Sequence, residues 1–213
     1  MIPRPDLPPT SFPDVMCDLE TTDVAPDRGH ILQIAAIRFN LRTQEYDPVP
    51  FNVCLHPTMN HRMWSESTRD WWLSKPEAYE KATMNQIAPH IACLAFNNWL
   101  GQVRPTFWAN RNGFDFMFLQ SYFKDLGVAF PIKYWDTIDL LSYVRGLYKG
   151  KGLPMRSKKS VPFEGTAHDA VDDVLHQLKY LLMAETDCGI SAVRPEPVPV
   201  IVTWAKGEKE DVI

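Results

Sequence analysis

The feature that most constrains the fold is a short apolar segment that runs directly into two acidic residues. Residues 15–20 have the sequence Val-Met-Cys-Asp-Leu-Glu. The apolar part is too short for a helix and predicts a buried strand. Alternate side chains of a strand share a face, so Asp18 and Glu20 should project together while Leu19 faces the core. Two carboxylates this close repel each other unless a cation lies between them, which predicts a site for a hard ion such as Mg²⁺ or Mn²⁺.

A second acidic cluster opens the most regular amphipathic helix of the chain, which we predict over residues 167–184. Its apolar residues recur at helical spacing: Val171, Val174, Leu175, Leu178, Leu181 and Leu182. His168 and Asp173 lie at the start of this helix. Five residues turn a helix by about 500°, which would leave these two side chains roughly 140° apart and able to touch one ligand from two sides.

A third acid, Asp115, follows a predicted strand over residues 106–109 and opens a predicted helix over residues 116–126. Taken singly, each motif has a structural explanation, because acids and His-Asp pairs at helix starts are often only caps. The ends of sheet strands are, however, also where such proteins present catalytic groups. Three acidic motifs and a histidine at three strand or helix ends therefore favour a catalytic site.

The order of these motifs resembles the DEDDh (DnaQ-like) 3′→5′ exonucleases, which include polymerase proofreading subunits, RNase T and oligoribonuclease. The resemblance covers about residues 15–184 and includes the Thr pair at 21–22 and a second strand at 29–37. Residues 67–78, with Trp71 and Trp72, are similar to a subgroup containing T-even phage exonuclease A and a related bacterial exoribonuclease.

One position departs from the family pattern. Relatives often carry Asn four residues before the third aspartate, where this chain has Arg111. The resemblance therefore leaves open which of Asn110, Arg111 and Asn112 orders that loop.

The resemblance implies a two-metal hydrolase acting on a nucleic acid 3′ end. Two Mg²⁺ or Mn²⁺ ions, about 4 Å apart, would be held by four acids: Asp18, Glu20, Asp115 and Asp173. His168, with an unperturbed pKa of about 6.5, would take a proton from the attacking water. It also implies that Leu19, Thr21 and Phe114 contact the terminal nucleotide.

Aromatic and basic residues provide further substrate contacts in this prediction. Consecutive tryptophans on a helix face different ways, so at least one is structural, and we expect Trp71 to stack on the terminal base. Residues 148–160 carry five cations and no acid. Charged runs usually face water, but this one leads directly to His168. We therefore expect Lys158 and Lys159 to hold substrate phosphates.

The predicted order of elements indicates an α/β protein with a mixed five-stranded sheet flanked by helices, which the resemblance identifies as the ribonuclease H-like fold. The predicted strands lie at residues 14–20, 30–41, 49–55, 106–109 and 133–135. Besides the two helices above, helical segments are predicted at residues 67–81, 89–100 and 137–148.

Length, charge and cysteine content indicate the number of domains and the cellular location of the protein. A chain of 213 residues suits one well-buried domain, which we predict over residues 14–185, after a proline-rich arm at 1–13. The tail at 186–213 would pack on the domain or on another copy of the chain. The net charge of −4 gives no general attraction to nucleic acid. Four dispersed cysteines and no apolar run long enough for a membrane span predict a soluble, cytoplasmic protein, in the host cytoplasm if it is phage-encoded.

The sequence thus predicts a metal-dependent 3′→5′ exonuclease that acts on single-stranded DNA or RNA and releases 5′-mononucleotides. The alternatives are an oligoribonuclease or RNA-trimming exoribonuclease, and a non-catalytic nucleic-acid-binding protein on the same fold. No residue in the sequence is identified as a contact to a ribose 2′-hydroxyl, so the substrate could be DNA or RNA.

Overall fold

A mixed β-sheet forms the centre of the protein in the computed structural model, which describes residues 2–3, 8–101 and 104–193. The strands are β1 (Ile2–Pro3), β2 (Asp14–Thr21), β3 (Ile31–Asn40), β4 (Glu45–Tyr46), β5 (Phe51–Cys54), β6 (Thr106–Ala109) and β7 (Thr137–Asp139). The helices are α1 (Glu66–Leu73), α2 (Pro76–Ala82), α3 (Pro89–Leu100), α4 (Asn112–Asp125), α5 (Leu140–Gly150) and α6 (Ala170–Asp187).

Strand β2 lies in the middle of this sheet. It pairs antiparallel with β3 and parallel with β6, while β5 pairs antiparallel with β3 and β7 pairs parallel with β6. These five strands form the predicted mixed sheet. Two further strands of two residues each, β4 on β3 and β1 on β4, extend it to seven among the described residues. The predicted α/β architecture, a mixed sheet flanked by helices, is confirmed.

The two faces of β2 pack against different helices, as its alternating side chains require. Val15, Cys17 and Leu19 belong to a buried cluster with residues of α3 and α4. Met16 lies on the opposite face, in a cluster with residues of α5 and α6. Asp18 and Glu20 share the face of Met16, so the predicted strand geometry is confirmed and both acids lie on the α6 side.

One predicted element was wrong, and another is divided. The helical segment predicted at 67–81 is confirmed as two helices, because the chain turns at Ser74 and Lys75 before Pro76 opens α2. The strand predicted at 133–135 is replaced by a 3₁₀ turn at Tyr134–Asp136. Aromatic residues favour strands, but Trp135 is largely exposed, and the sheet pairing is made by β7 immediately after it.

Smaller differences concern boundaries and the chain ends. Asp139 ends β7 and caps α5, accepting a hydrogen bond from the Ser142 backbone at 2.7 Å, so α5 begins at Leu140. All four cysteines are buried and unpaired, as predicted. In the parts of the chain described above, no helix combines the length and apolar composition needed to cross a bilayer. Most of the predicted tail, residues 194–213, lies outside the described residues, and so do residues 1 and 4–7 of the arm.

Candidate active site

The C-terminal end of β2 carries two of the predicted metal ligands. Asp18 is partly exposed and Glu20 is buried. The register between β2 and β3 shifts between Glu20 and Thr21, so the regular ladder ends where the acids project. Such an irregularity re-aims side chains at the end of a strand.

Helix α6 brings Asp173 and His168 to the same place. Candidate ligand atoms of Glu20, His168 and Asp173 all lie within 4.8 Å of one another. The backbone N–H of His168 donates to Asp173 Oδ2 at 2.9 Å. The predicted angle of about 140° around the helix was wrong, because Asp169 caps α6 and His168 precedes it with a left-handed φ of 69°.

Asp115 lies on α4, close enough to Asp18 for the two charges to interact, although it is not among the three residues within 4.8 Å. This helix begins at Asn112, so Asp115 lies inside its first turn and is almost fully buried. Burial raises the pKa of Asp115, the charge of Asp18 raises it further, and hydrogen bonds from backbone N–H groups, including that of Leu19, oppose the rise.

The loop before α4 is held by a residue that the sequence did not suggest. Asp139 Oδ2 accepts a hydrogen bond from the Asn112 backbone N–H at 3.0 Å. Arg111 adopts a left-handed φ of 72° just before it. The ordering group is therefore a carboxylate at the start of α5, and none of the three loop side chains supplies this bond.

The acids raise one another's pKa values. Loss of solvation raises the pKa of Asp18 to about 7, and the charge of Asp173 adds to the rise. A hydrogen bond from Gln177 Nε2 to Asp18 Oδ1, at 2.6 Å, and the charge of Lys158 act in the opposite direction. Burial raises the pKa of Glu20 well above its ordinary value, followed by the charges of Asp18 and the other acids. Such a group of oxygens favours a multivalent cation.

A cleft of about 360 Å³ opens beside these acids. Four of the predicted substrate-binding residues line it: Leu19, Thr21, Phe114 and Trp71. The Trp71 and His168 rings form a T-shaped contact, with a centroid distance of 4.7 Å and an interplanar angle of 84°.

Its neighbour Trp72 has a different environment. Trp72 is buried, and its Nε1 donates to the Thr21 carbonyl at 2.9 Å, which ties α1 to the end of β2. One tryptophan therefore has the predicted structural position, while Trp71 lines the cleft.

The two predicted phosphate-binding lysines are not equivalent. Lys158 Nζ lies 3.9 Å from Asp173 Oδ1, at the edge of the acidic cluster. The side chain of Lys159 is exposed. Arg156 in the same segment forms an ion pair with Asp187 at 3.2 Å, so part of the basic run has structural partners.

Two glutamines of the site were missed by the sequence prediction. Gln177 follows Asp173 by one helical turn, a spacing that could have identified it. Gln33 on β3 donates to Asp169 Oδ1 at 3.0 Å and accepts from the Ala170 backbone N–H at 3.1 Å. No local pattern indicates a contact between residues so far apart in the chain.

The fold is similar to those of solved exonuclease structures, which confirms the predicted ribonuclease H-like fold. S. pombe Pop2p, in a form with Mg²⁺ and Mn²⁺ bound, is 14% identical, with a TM-score of 0.59 over 86% of this chain and 87% of that one. Cell-death related nuclease 4 (CRN-4) is 17% identical, with a TM-score of 0.62 over 83% of this chain and 65% of that one. E. coli exonuclease I in complex with a dT13 oligonucleotide is 17% identical, with a TM-score of 0.64 over 81% of this chain and 40% of that one.

The family follows from the sequence match. Residues 13–184 match the 3′-5′ exoribonuclease Rv2179c-like domain, and the chain belongs to that family. No curated protein matches the chain by sequence. The family and the fold together confirm the resemblance to 3′→5′ exonucleases and support nuclease activity.

Proposed function

We propose that the protein is a two-metal-ion 3′→5′ exonuclease of the DEDDh type, which hydrolyses the 3′-terminal phosphodiester of single-stranded nucleic acid and releases 5′-mononucleotides. The observation that carries this proposal is the convergence of Glu20, His168 and Asp173 within 4.8 Å beside the cleft lined by Trp71 and Phe114. A scissile phosphate held at these acids would leave its terminal nucleotide in the cleft.

The donor set fits Mg²⁺ or Mn²⁺. Asp18, Glu20, Asp115 and Asp173 offer only carboxylate oxygens, which hard divalent ions prefer. The raised pKa values of Asp18, Glu20 and Asp115 indicate a cluster that ionises fully only when positive charge is present. When bound, two ions supply electrostatic stabilisation of the attacking and leaving oxygens.

His168 is the proposed general base. Its ring makes a T-shaped contact with the Trp71 ring, and its backbone N–H donates to Asp173, so both the side chain and the backbone of His168 have a partner. A histidine close to the acids can accept the proton of the attacking water near neutral pH. It would carry that proton away from the cluster, because its ring is partly exposed.

The cleft is the proposed site for the terminal nucleotide. Leu19 and Phe114 supply apolar contacts, and Trp71 supplies an aromatic ring on which a base can stack. Lys158 and Lys159 would contact phosphates, since a chain of net charge −4 must attract a polyanion locally.

A second candidate is RNA-trimming activity, including an oligoribonuclease. The family description favours it, because the matching domain is named as an exoribonuclease. The dT13 bound to E. coli exonuclease I shows that a relative in fold binds single-stranded DNA, so both substrates need to be tested.

Matched single-stranded RNA and DNA oligonucleotides, labelled at the 5′ end, provide the test. With Mg²⁺ or Mn²⁺ we expect a ladder shortening from the 3′ end and 5′-mononucleotide products. A chelator should stop the reaction, and an Asp18→Asn preparation controls for contaminating nuclease. Internal cleavage, or degradation that continues in the chelator, would contradict the proposal. A ladder with RNA alone would favour the second candidate.

A further inference from the structure

Helix α2 borders the candidate active site, although the proposed reaction gives none of its residues a role. Lys81, at its C-terminal end, donates from Nζ to Thr166 Oγ1 at 2.8 Å. The same Nζ lies 3.4 Å from Asp169 Oδ2 and 3.6 Å from Asp172 Oδ2. One ammonium group thus connects α2 to residues on both sides of His168.

Glu77 strengthens this connection from the preceding turn of α2. The Thr166 hydroxyl donates to Glu77 Oε1 at 2.8 Å while accepting from Lys81. Residues four apart lie on one face of a helix, so Glu77 and Lys81 reach the same hydroxyl together. Glu77 and Lys81 therefore hold the loop at residues 165–169 through Thr166, and we call this pair the polar clamp.

Two residues of the loop at 165–169 have positive φ angles, which the sequence alone does not favour. Gly165 has φ +100°, and a Cβ at this position would lie 2.2 Å from Asp172 Oδ2. His168 has φ 69°, which is uncommon for a residue with a side chain. Such conformations persist only where surrounding contacts impose them. The backbone N–H of Thr166 donates to Asp172 Oδ2 at 2.8 Å, and the clamp holds the side chain of the same threonine.

We propose that Lys81 is a positioning residue for His168: it holds Thr166 and Asp169 so that the intervening histidine lies against the acids. This inference rests on the proposed function, in which His168 is the base. Lys81 also balances Asp169 and Asp172, which would otherwise repel each other and the acidic cluster. Removal of this one positive charge should let the loop move while β2 keeps its acids in place.

A double-mutant cycle with His168 tests the proposal. Lys81→Met should lower the single-turnover rate at saturating Mn²⁺ by about 10- to 100-fold, because a displacement of about 1 Å can cost a reaction this much. The KM and the rise in Tm that Mn²⁺ produces should not change. In a His168→Ala background, Lys81→Met should have little further effect, since residues that act as a unit are not additive.

Two matched variants sharpen the cycle. Lys179→Met removes another lysine charge next to the loop. The Nζ of Lys179 pairs with Glu164 Oε2 at 2.5 Å and not with Thr166, so this variant should keep the wild-type rate. Lys81→Arg keeps the charge and should restore most of the rate. An equal loss from Lys81→Met in both backgrounds, as general misfolding would cause, overturns the positioning role alone. Full activity of His168→Ala overturns the proposed base, and this inference with it.

Discussion

Two parts of the candidate site are held by different forces: the strand half, which is Asp18 and Glu20 on β2, and the loop half, which is residues 165–169. In the strand half, the preceding residues Met16 and Cys17 of the same strand are completely buried. Every residue of the loop at 165–169 is at least partly exposed. The loop is held by hydrogen bonds and ion pairs from α2 and β3. Hydrophobic burial makes the strand half rigid without help from the acids, whereas the loop half depends on individual polar contacts. Substitutions in the strand half should therefore weaken metal binding, whereas substitutions in the loop half should misplace His168 and leave metal binding intact.

The largest effect should come from the strand half. Asp18→Asn should abolish hydrolysis and weaken the stabilisation by Mn²⁺, because it removes one of the proposed ligand carboxylates. Asp14→Asn is the matched control, since Asp14 is a buried acid on the same strand that accepts hydrogen bonds from Leu41 and Trp108 at 3.1 and 3.0 Å. The control should retain turnover at saturating metal. Equal activity of the two variants would remove Asp18 from the site.

His168→Ala tests the loop half directly. We expect the chemical step to slow by a factor on the order of 10² to 10⁴, the usual range for a general base. The rise in Tm with Mn²⁺ should persist, since four acids remain. Single-turnover rates measured against pH decide the point, and an unchanged rate would leave His168 with only a structural role.

Backbone strain distinguishes two glycines in the same part of the chain. Gly165→Ala forces a Cβ to within 2.2 Å of Asp172 Oδ2, so it should displace the loop and slow single turnover by about 10-fold or more. Gly152→Ala has φ +65° but nothing within 4 Å, so it should cost stability without changing the rate. Thermal melts and single-turnover rates for both variants separate strain from misalignment. Equal rate effects would argue against the close fit of the loop.

The smallest effect should come from the basic segment. Lys158→Ala with Lys159→Ala should weaken substrate binding in Ca²⁺ and reduce its salt dependence by up to roughly 0.7 slope units per lost contact. Turnover at saturating substrate should change little. Lys149→Ala, at an exposed position on α5, controls for the loss of charge alone. If affinity and slope do not change in the double variant, these lysines face solvent and do not bind phosphate.

The same contrast explains what the sequence could predict. Strand β2 and the shared face of Asp18 and Glu20 follow from a two-residue alternation that burial enforces. The position of His168 does not, because the residues that follow its left-handed backbone are bound by Gln33 and Lys81, which are distant in the chain. The start of α4 was misplaced for a similar reason, since Asp139 fixes it from another element. Local patterns indicated the candidate reacting groups, and long-range polar contacts hold the loop that carries His168.

The central claim, that these acids form a metal site, is tested most directly by thermal melts of wild type and Asp18→Asn from about pH 5 to pH 8, with and without Mn²⁺. The pKa of Asp18 is raised from 3.8 to about 7 in the metal-free fold. Its contribution to stability is therefore full at low pH and lost as pH rises through about 7.

Without metal, wild type should lose stability relative to Asp18→Asn as pH rises through this window. Metal binding requires ionised carboxylates, so the gain in Tm from Mn²⁺ should grow with pH in wild type. That gain should be much smaller in the variant. A wild-type Tm that does not respond to Mn²⁺ at any pH would contradict the metal site and the mechanism built on it.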